Sequence, residues 1–243
     1  MNRCIVTVAT HPYYRKGQAR LLQALSRQPA YDPNTNLLAW ATTPDGCPLH
    51  QVVPFAFKPH ALKAAERKGH TSLLWCDSSV LPIRNLAPVW EKIERDGWLL
   101  MDSGWSNYEW TALDAYPDLG VTALTNRQIS HVIAGVIGLD LRNKTASAFL
   151  DEYLRLSNTK AFCGPRINGP LIEGATVYRQ APCGPADVRG HRHDQTAASV
   201  IAWRLGMKLE KPPEFCCYAN DAGSTDPKDY DECTCLIVHG SYT

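Results

Sequence analysis

Phe57-Lys58-Pro59-His60-Ala61-Leu62-Lys63-Ala64-Ala65, with Ser72-Leu73-Leu74-Trp75-Cys76-Asp77-Ser78-Ser79 close behind, is the stretch whose reading decides the fold. Proline near the first turn and Gly69 as a stop predict a helix over residues 59–68. The unbroken apolar run at 72–76 predicts a strand buried on both faces. Asp77 follows the strand's C-terminal end. In open α/β sheets ligands bind at that edge. A carboxylate followed by two hydroxyls suits a hard divalent cation that bridges phosphates, with Ser78 and Ser79 holding metal-bound water or a ribose. It suits equally well a turn whose serines satisfy backbone groups. On spacing alone both readings stay open.

The rest of the chain alternates in the same way. Apolar runs predict strands at 4–10, 36–42, 98–102 and 132–139. Amphipathic spacing predicts helices at 15–28, 85–95, 145–157 and 194–205, the last capped by Asp194. Residues 124–130 read as helical, 163–173 as a Gly/Pro-rich loop, and 236–238 as a last short strand. Strand–helix alternation predicts an α/β fold with a mixed, mostly parallel sheet flanked by helices. The chain has 243 residues, 44% of them hydrophobic and 20% charged, with a net charge of +1. That describes an ordinary globular protein and gives no support to a basic nucleic-acid binder. No apolar stretch reaches the ~20 residues of a membrane span, and the N-terminus lacks the pattern of a signal peptide, so a cytoplasmic location is expected. Nine cysteines without a secretion signal read as reduced thiols. Cys216, Cys217, Cys233 and Cys235 form a cluster that reads either as free thiols or as a zinc site, although the Cys-x-x-Cys knuckle is missing.

A second group with chemical sense is His191-Arg192-His193-Asp194-Gln195. Asp194 suits a general base that takes a proton from a hydroxyl. Arg192 suits a partner for a leaving diphosphate. The helix-cap reading of Asp194 is compatible with both. His191 and His193 read as polar surface or supporting residues rather than catalysts.

In order and pattern, residues 4–205 resemble the GT-A-fold glycosyltransferases. The resemblance rests on the first strand and helix, on Phe57-Lys58-Pro59-x-x-Leu62-x-x-Ala65, and on Leu73-Leu74-Trp75-Cys76-Asp77-Ser78-Ser79. It is supported by Ser130-His131-Val132-Ile133-Ala134-Gly135 and by Arg192-x-Asp194-Gln195. Such enzymes carry Asp-x-Asp after a hydrophobic strand, where it holds a divalent metal on the diphosphate of a nucleotide sugar. Here Ser79 stands in place of the second aspartate.

The resemblance implies one domain over 1–243, with a nucleotide-binding half to residue 103 and an acceptor-binding half from 104. It implies a nucleotide-sugar donor, a saccharide or other hydroxyl acceptor, and manganese or magnesium on Asp77 and Ser79, with His239 as a third ligand. It places Thr10 and Tyr14 at the nucleotide base, Lys58 at phosphate or base, and Asp102 at the donor sugar's hydroxyls. Trp105, Tyr108 and Trp110 then offer rings on which a sugar could stack. Two other functions compete with this one. A nucleotidyltransferase would show a Gly-rich first loop, which Ala9-Thr10-His11-Pro12-Tyr13 is not. A non-catalytic binding protein is favoured by the missing second aspartate. A nucleic-acid acceptor draws no support from the neutral charge.

Overall fold

A computed structural model describes residues 2–27, 29–168, 180–181, 183–219 and 222–239. The first half runs β1 (Arg3–Val8), α1 (Pro12–Leu25), β2 (Thr35–Trp40), α2 (Phe57–Arg67), β3 (Ser72–Cys76), β4 (Val80–Pro82) and α3 (Ala87–Asp96). It continues with β5 (Trp98–Ser106), the short α4 (Tyr116–Leu119) and α5 (Ala123–Asn126), β6 (Ser130–Asp140) and α6 (Lys144–Leu156). Then come β7 (Ile167–Asn168), β8 (Gln180–Ala181), α7 (Asp194–Arg204), β9 (Phe215–Tyr218) and β10 (Thr234–Val238).

The main sheet has the order β2-β1-β3-β6-β5. β1 pairs in parallel with β2 and β3, while β6 is antiparallel to both β3 and β5. Four strands therefore point one way and β6 the other. The predicted mixed, mostly parallel sheet is present, although periodicity carried no sign of the reversal at β6. A three-stranded sheet β4-β10-β9 joins the C-terminal segment to the Asp77 turn. β4 and β9 went unpredicted because each is too short for a period-two pattern. The helix expected at 124–130 is a single turn, Ala123–Asn126. Of the loop expected at 163–173, residues 169–173 lie outside the described residues.

Both faces of the central strands β1, β3 and β6 are buried, as apolar strands require, while edge strand β2 is partly exposed. In β3, Leu73 and Trp75 enter one core with Ala61, Leu62, Phe149 and Tyr153 of α2 and α6. Leu74 and Cys76 enter the other, with Val89, Trp90 and Ile93 of α3 and Leu236 of β10. Gly138 of β6 lets α3 approach: a Cβ there would stand 2.5 Å from Ile93 Cδ1. Helix α3 ends on Gly97, whose φ of 93° is the left-handed cap that glycine accepts without strain. The expected division at residue 103 falls inside β5, and β6 from the second half inserts between β3 and β5.

Candidate active site

The C-terminal ends of β1 and β3 put Thr10 and Asp77 on one edge of the sheet, with Tyr14 on the first turn of α1 and Asp102 late in β5. Asp77 is fixed from three sides. Its backbone N–H donates to Gly135 O at 2.9 Å, and its carbonyl accepts from Val80 N in the turn to β4. Its Oδ1 accepts from the Trp75 indole at 2.8 Å. Trp75 and Asp77 are two residues apart on an extended chain and so share a face. A Cβ on Gly135 would meet Asp77 Oδ2 at 3.6 Å, so this glycine backs the carboxylate.

The hub of the site is Lys58, second residue of α2 and almost wholly buried. Its Nζ lies 2.9 Å from Asp77 Oδ1, 2.7 Å from Asp194 Oδ2 and 2.8 Å from Ala134 O. An ammonium has three N–H donors, and these three acceptors use all of them. The role expected for Lys58 at a phosphate or base is therefore corrected: it ties two carboxylates together and has no donor left for a ligand. Burial alone would lower its pKa, but Asp194 and Asp77 outweigh burial and raise it, so the lysine stays charged. Its ammonium also lies over the rings of Phe55 and Trp75, 5.4 and 5.6 Å from their centroids.

Asp194 is buried and is the first residue of α7, not its cap. The cap position belongs to His193, with φ 50° and ψ −110° and no side-chain capping bond. The expected cap role fails because the carboxylate is turned to Lys58. Burial raises the Asp194 pKa to about 6; Lys58 opposes that rise and Asp77 adds to it. Tyr153 OH reaches Asp194 Oδ2 only at 3.5 Å. Two non-glycine residues with positive φ flank the hub: Phe55 (62°) near Lys58, and His193 beside Asp194. Their rings touch, with centroids 5.6 Å apart. Each such backbone costs about 1–3 kcal/mol and persists only where its surroundings enforce it, commonly at functional sites.

Arg192 lies over Trp110, its guanidinium carbon 4.2 Å from the ring centroid. Trp105 stands edge-on to Trp110 and carries Arg189 at 4.0 Å, which also pairs with Glu109. The expected aromatic loop is thus built as two stacked Arg–Trp pairs. Asp102 Oδ1 accepts from Gly104 N at 2.8 Å, shaping its own turn. Tyr14 is exposed, in edge contact with His11 and Tyr13. His191 and His193, expected as polar surface or supporting residues, are both buried; His191 Nδ1 accepts from Ala112 N and its Nε2 bonds Ala161 O.

The donor set expected for a divalent cation does not fit one as arranged. Asp77 Oδ1 is taken by the ammonium and the indole, leaving one carboxylate oxygen. Ser79 adds only a neutral hydroxyl. β10 brings His239 alongside, its N–H donating to Ser79 O at 2.7 Å. Its ring, however, bonds Arg20 through Nδ1 and Gly223 O through Nε2. A hard cation takes six or more oxygens with charged carboxylates among them. Among the described residues no group of three or more His, Cys, Asp or Glu side chains is placed to hold a metal. Cys216, Cys217, Cys233 and Cys235 are free thiols.

One open cavity of about 300 Å³ borders the aromatic loop, lined by Ser106, Tyr108, Glu109, Arg127 and Asp187; another lies apart from the site. The latter, of about 210 Å³ and lined by Ile5, Leu22, Leu25, Tyr31, Leu37 and Trp90 among others, holds none of the site's polar groups. The strained, charged cluster at the sheet edge is the stronger candidate, since ligands of such sheets bind at the strands' carboxyl ends. Trp75 was legible in the sequence by its two-residue spacing from Asp77. The approach of Lys58 and Tyr153 to Asp194 is tertiary and left no local signal.

No protein-family model matches the sequence, and no curated protein is significantly similar to it. Solved structures are similar. The apo bifunctional glycosyltransferase WbbM superposes with a TM-score of 0.52 at 10% identity, over 99% of this chain and 46% of that one. This chain thus spans about half of WbbM. Mouse xyloside xylosyltransferase 1 in its apo form gives 0.53 at 9% identity, over 99% of this chain and 97% of the other. Among the described residues no helix is long and apolar enough to cross a membrane. At such identities the likeness speaks for architecture: the chain has the GT-A-like α/β fold of glycosyltransferases.

Proposed function

We propose that the protein transfers a glycosyl group from a nucleotide sugar to a hydroxyl acceptor. The observation that carries this reading is the Asp77–Lys58–Asp194 cluster at the carboxyl edge of a GT-A-like sheet, with the Arg192–Trp110 stack beside it. In the reaction the bond from the sugar's anomeric carbon to the diphosphate oxygen breaks, the bond to the acceptor oxygen forms, and the acceptor hydroxyl's proton passes to a phosphate oxygen of the departing diphosphate. The diphosphate departs with its negative charge, so a cation must face it. Arg192 supplies that charge. Thr10 and Tyr14 border the place for the base, and Asp77 and Asp102 border the place for the sugar. The exposed Trp105, on the side that Arg189 does not cover, takes the apolar face of a sugar ring.

Asp194 reads from sequence as the base. Its burial and its pairing with Lys58 support a different role: it holds Lys58, and Lys58 holds Asp77. Folding then fixes the arrangement before substrate arrives, so binding energy is not spent on ordering it. The test is an amide-shift map of the labelled protein titrated with a nucleoside diphosphate. Shifts gathered at residues 9–15, 77–80, 102–105 and 189–196 support the reading. Shifts confined to the α1–α3 face overturn it.

A further inference from the structure

Charge within the site sets a requirement that Lys58 cannot meet. With both carboxylates ionised, Lys58, Asp77 and Asp194 together carry one net negative charge, and every ammonium N–H is already given away. A diphosphate beside this cluster would meet repulsion unless another cation holds it. The ligand set at Asp77 and Ser79 is poor for a metal ion. Other cations nearby are engaged: Arg189 pairs with Glu109, Arg15 donates to Ala41 O, and Arg20 bonds His239.

Arg192 and Arg166 differ from these. Among the described residues neither guanidinium has an ion pair or a hydrogen-bond partner, whereas Arg189, Arg15 and Arg20 each have one. The fold also sets them side by side. The His191 N–H donates to Pro165 O at 2.7 Å. Gly190 lies against the Arg166 carbonyl so closely that a Cβ would overlap it. Residues 165–166 and 190–192 are therefore adjacent rungs. Arg192 is anchored further by its backbone N–H, which donates to Trp110 O at 3.2 Å and to Thr196 Oγ1 at 3.3 Å.

The Arg192 guanidinium sits over Trp110, and no described residue takes a hydrogen bond from its N–H donors. Arg192 is half-buried and Arg166 exposed. Burial first, and the like charge of Arg166 second, hold the Arg192 pKa below its ordinary value. Two neighbouring guanidiniums without an anion repel each other. A diphosphate reverses that, since each arginine fork fits a phosphate in two-point contact.

We infer that Arg192 and Arg166 form a clamp for the donor's diphosphate, and that donor binding by this protein therefore needs no divalent metal. The inference rests on the proposed glycosyl transfer and adds Arg166 and the metal independence to it. Its test is calorimetric titration of the full chain with inorganic pyrophosphate in EDTA, which requires no knowledge of base or sugar. Wild type binds in EDTA, and binding weakens as salt rises. Arg192→Gln weakens binding about tenfold or more, the scale of a lost charge-assisted pair. Arg166→Gln weakens it by several-fold. Arg192→Lys, which keeps the charge without the fork, falls between wild type and Arg192→Gln. Should Arg192→Gln fail to fold, Arg166→Gln at an exposed side chain and Arg192→Lys still decide. Pyrophosphate binding that appears only with manganese overturns the clamp, as does binding unchanged in Arg166→Gln and Arg192→Lys. Pyrophosphate binding at these arginines, together with no binding or turnover of any nucleotide sugar, would keep the clamp and remove the transferase reading.

Discussion

Replacing Lys58 by methionine keeps the volume of the stem and removes the one cation shared by Asp77 and Asp194. In the native protein burial has already moved Asp194 from 3.8 to about 6. That displacement corresponds to ~3 kcal/mol held against folding once the group is ionised. Its sign follows from proton binding: a raised carboxyl pKa favours the folded state at low pH and costs stability as pH rises through 3.8 to about 6. Lys58 limits the rise, so its removal pushes Asp194 higher and widens the window. Above that window the variant buries an unpaired charge. Breaking a buried pair in this way costs roughly 3–5 kcal/mol, which for a chain of this size lowers Tm by roughly 6–20 °C. At pH 5.5 Asp194 in the variant is protonated, and the loss shrinks to below about 2 kcal/mol, the scale of lost hydrogen bonds. The assay is urea unfolding of Lys58→Met and wild type at pH 5.5 and 8, read as a difference so that other titrating groups cancel. Adding Asp194→Asn to Lys58→Met should restore much of the loss at pH 8. A difference that does not change with pH, or no rescue in the double variant, would refute the reasoning.

Four further outcomes follow from the same contacts. Trp75→Phe keeps the ring and deletes the indole donor to Asp77, so unfolding free energy should fall by about 1–2 kcal/mol; an unchanged urea midpoint would contradict the bond. Gly138→Ala places a methyl against Ile93 and Leu99 and should cost roughly 1–3 kcal/mol by overpacking, seen as a lower Tm. His131 and His191 are held down to about 3 and about 4, in each case chiefly by burial. Their neutral forms stabilise the fold, and that stability is lost as pH falls below 6.5. Two histidines outweigh the opposite trend of Asp194, so these three groups together should take on the order of 2–3 kcal/mol from stability between pH 6.5 and 5. Equal urea midpoints at those two values would contradict their burial. Finally, a thiol reagent should label exposed Cys233 quickly in the native protein and leave buried Cys4, Cys76 and Cys216 untouched until denaturant is added.

Much of the architecture could be read along the chain, because each β–α unit carries its own period and its own stops. Leu73-Leu74-Trp75-Cys76 gave the central strand, and Gly69 the end of α2. The reversal of β6 was hidden, since a strand buried on both faces reads the same in either direction. In the small sheet only β10 was legible, and β4 and β9 were hidden by brevity. At the site, Asp77, Arg192 and Asp194 were marked by position at element ends. Their relations were not marked. Lys58 was expected to meet a ligand, and only the tertiary fold, which brings the start of α2 to the start of α7, shows that it meets Asp194. Likewise the adjacency of Arg166 and Arg192 comes from a backbone contact between distant segments, which no local pattern encodes. β10 brings the His239 backbone beside Ser79, yet its ring turns to Arg20 and Gly223.

The most direct measurement is donor turnover. The full chain would be incubated with a panel of nucleotide sugars, once in EDTA and once in manganese, and released nucleoside diphosphate measured. The account predicts turnover of one donor in both buffers, abolished by Asp77→Ala. Silence across the whole panel, with no donor raising the protein's Tm, would contradict it.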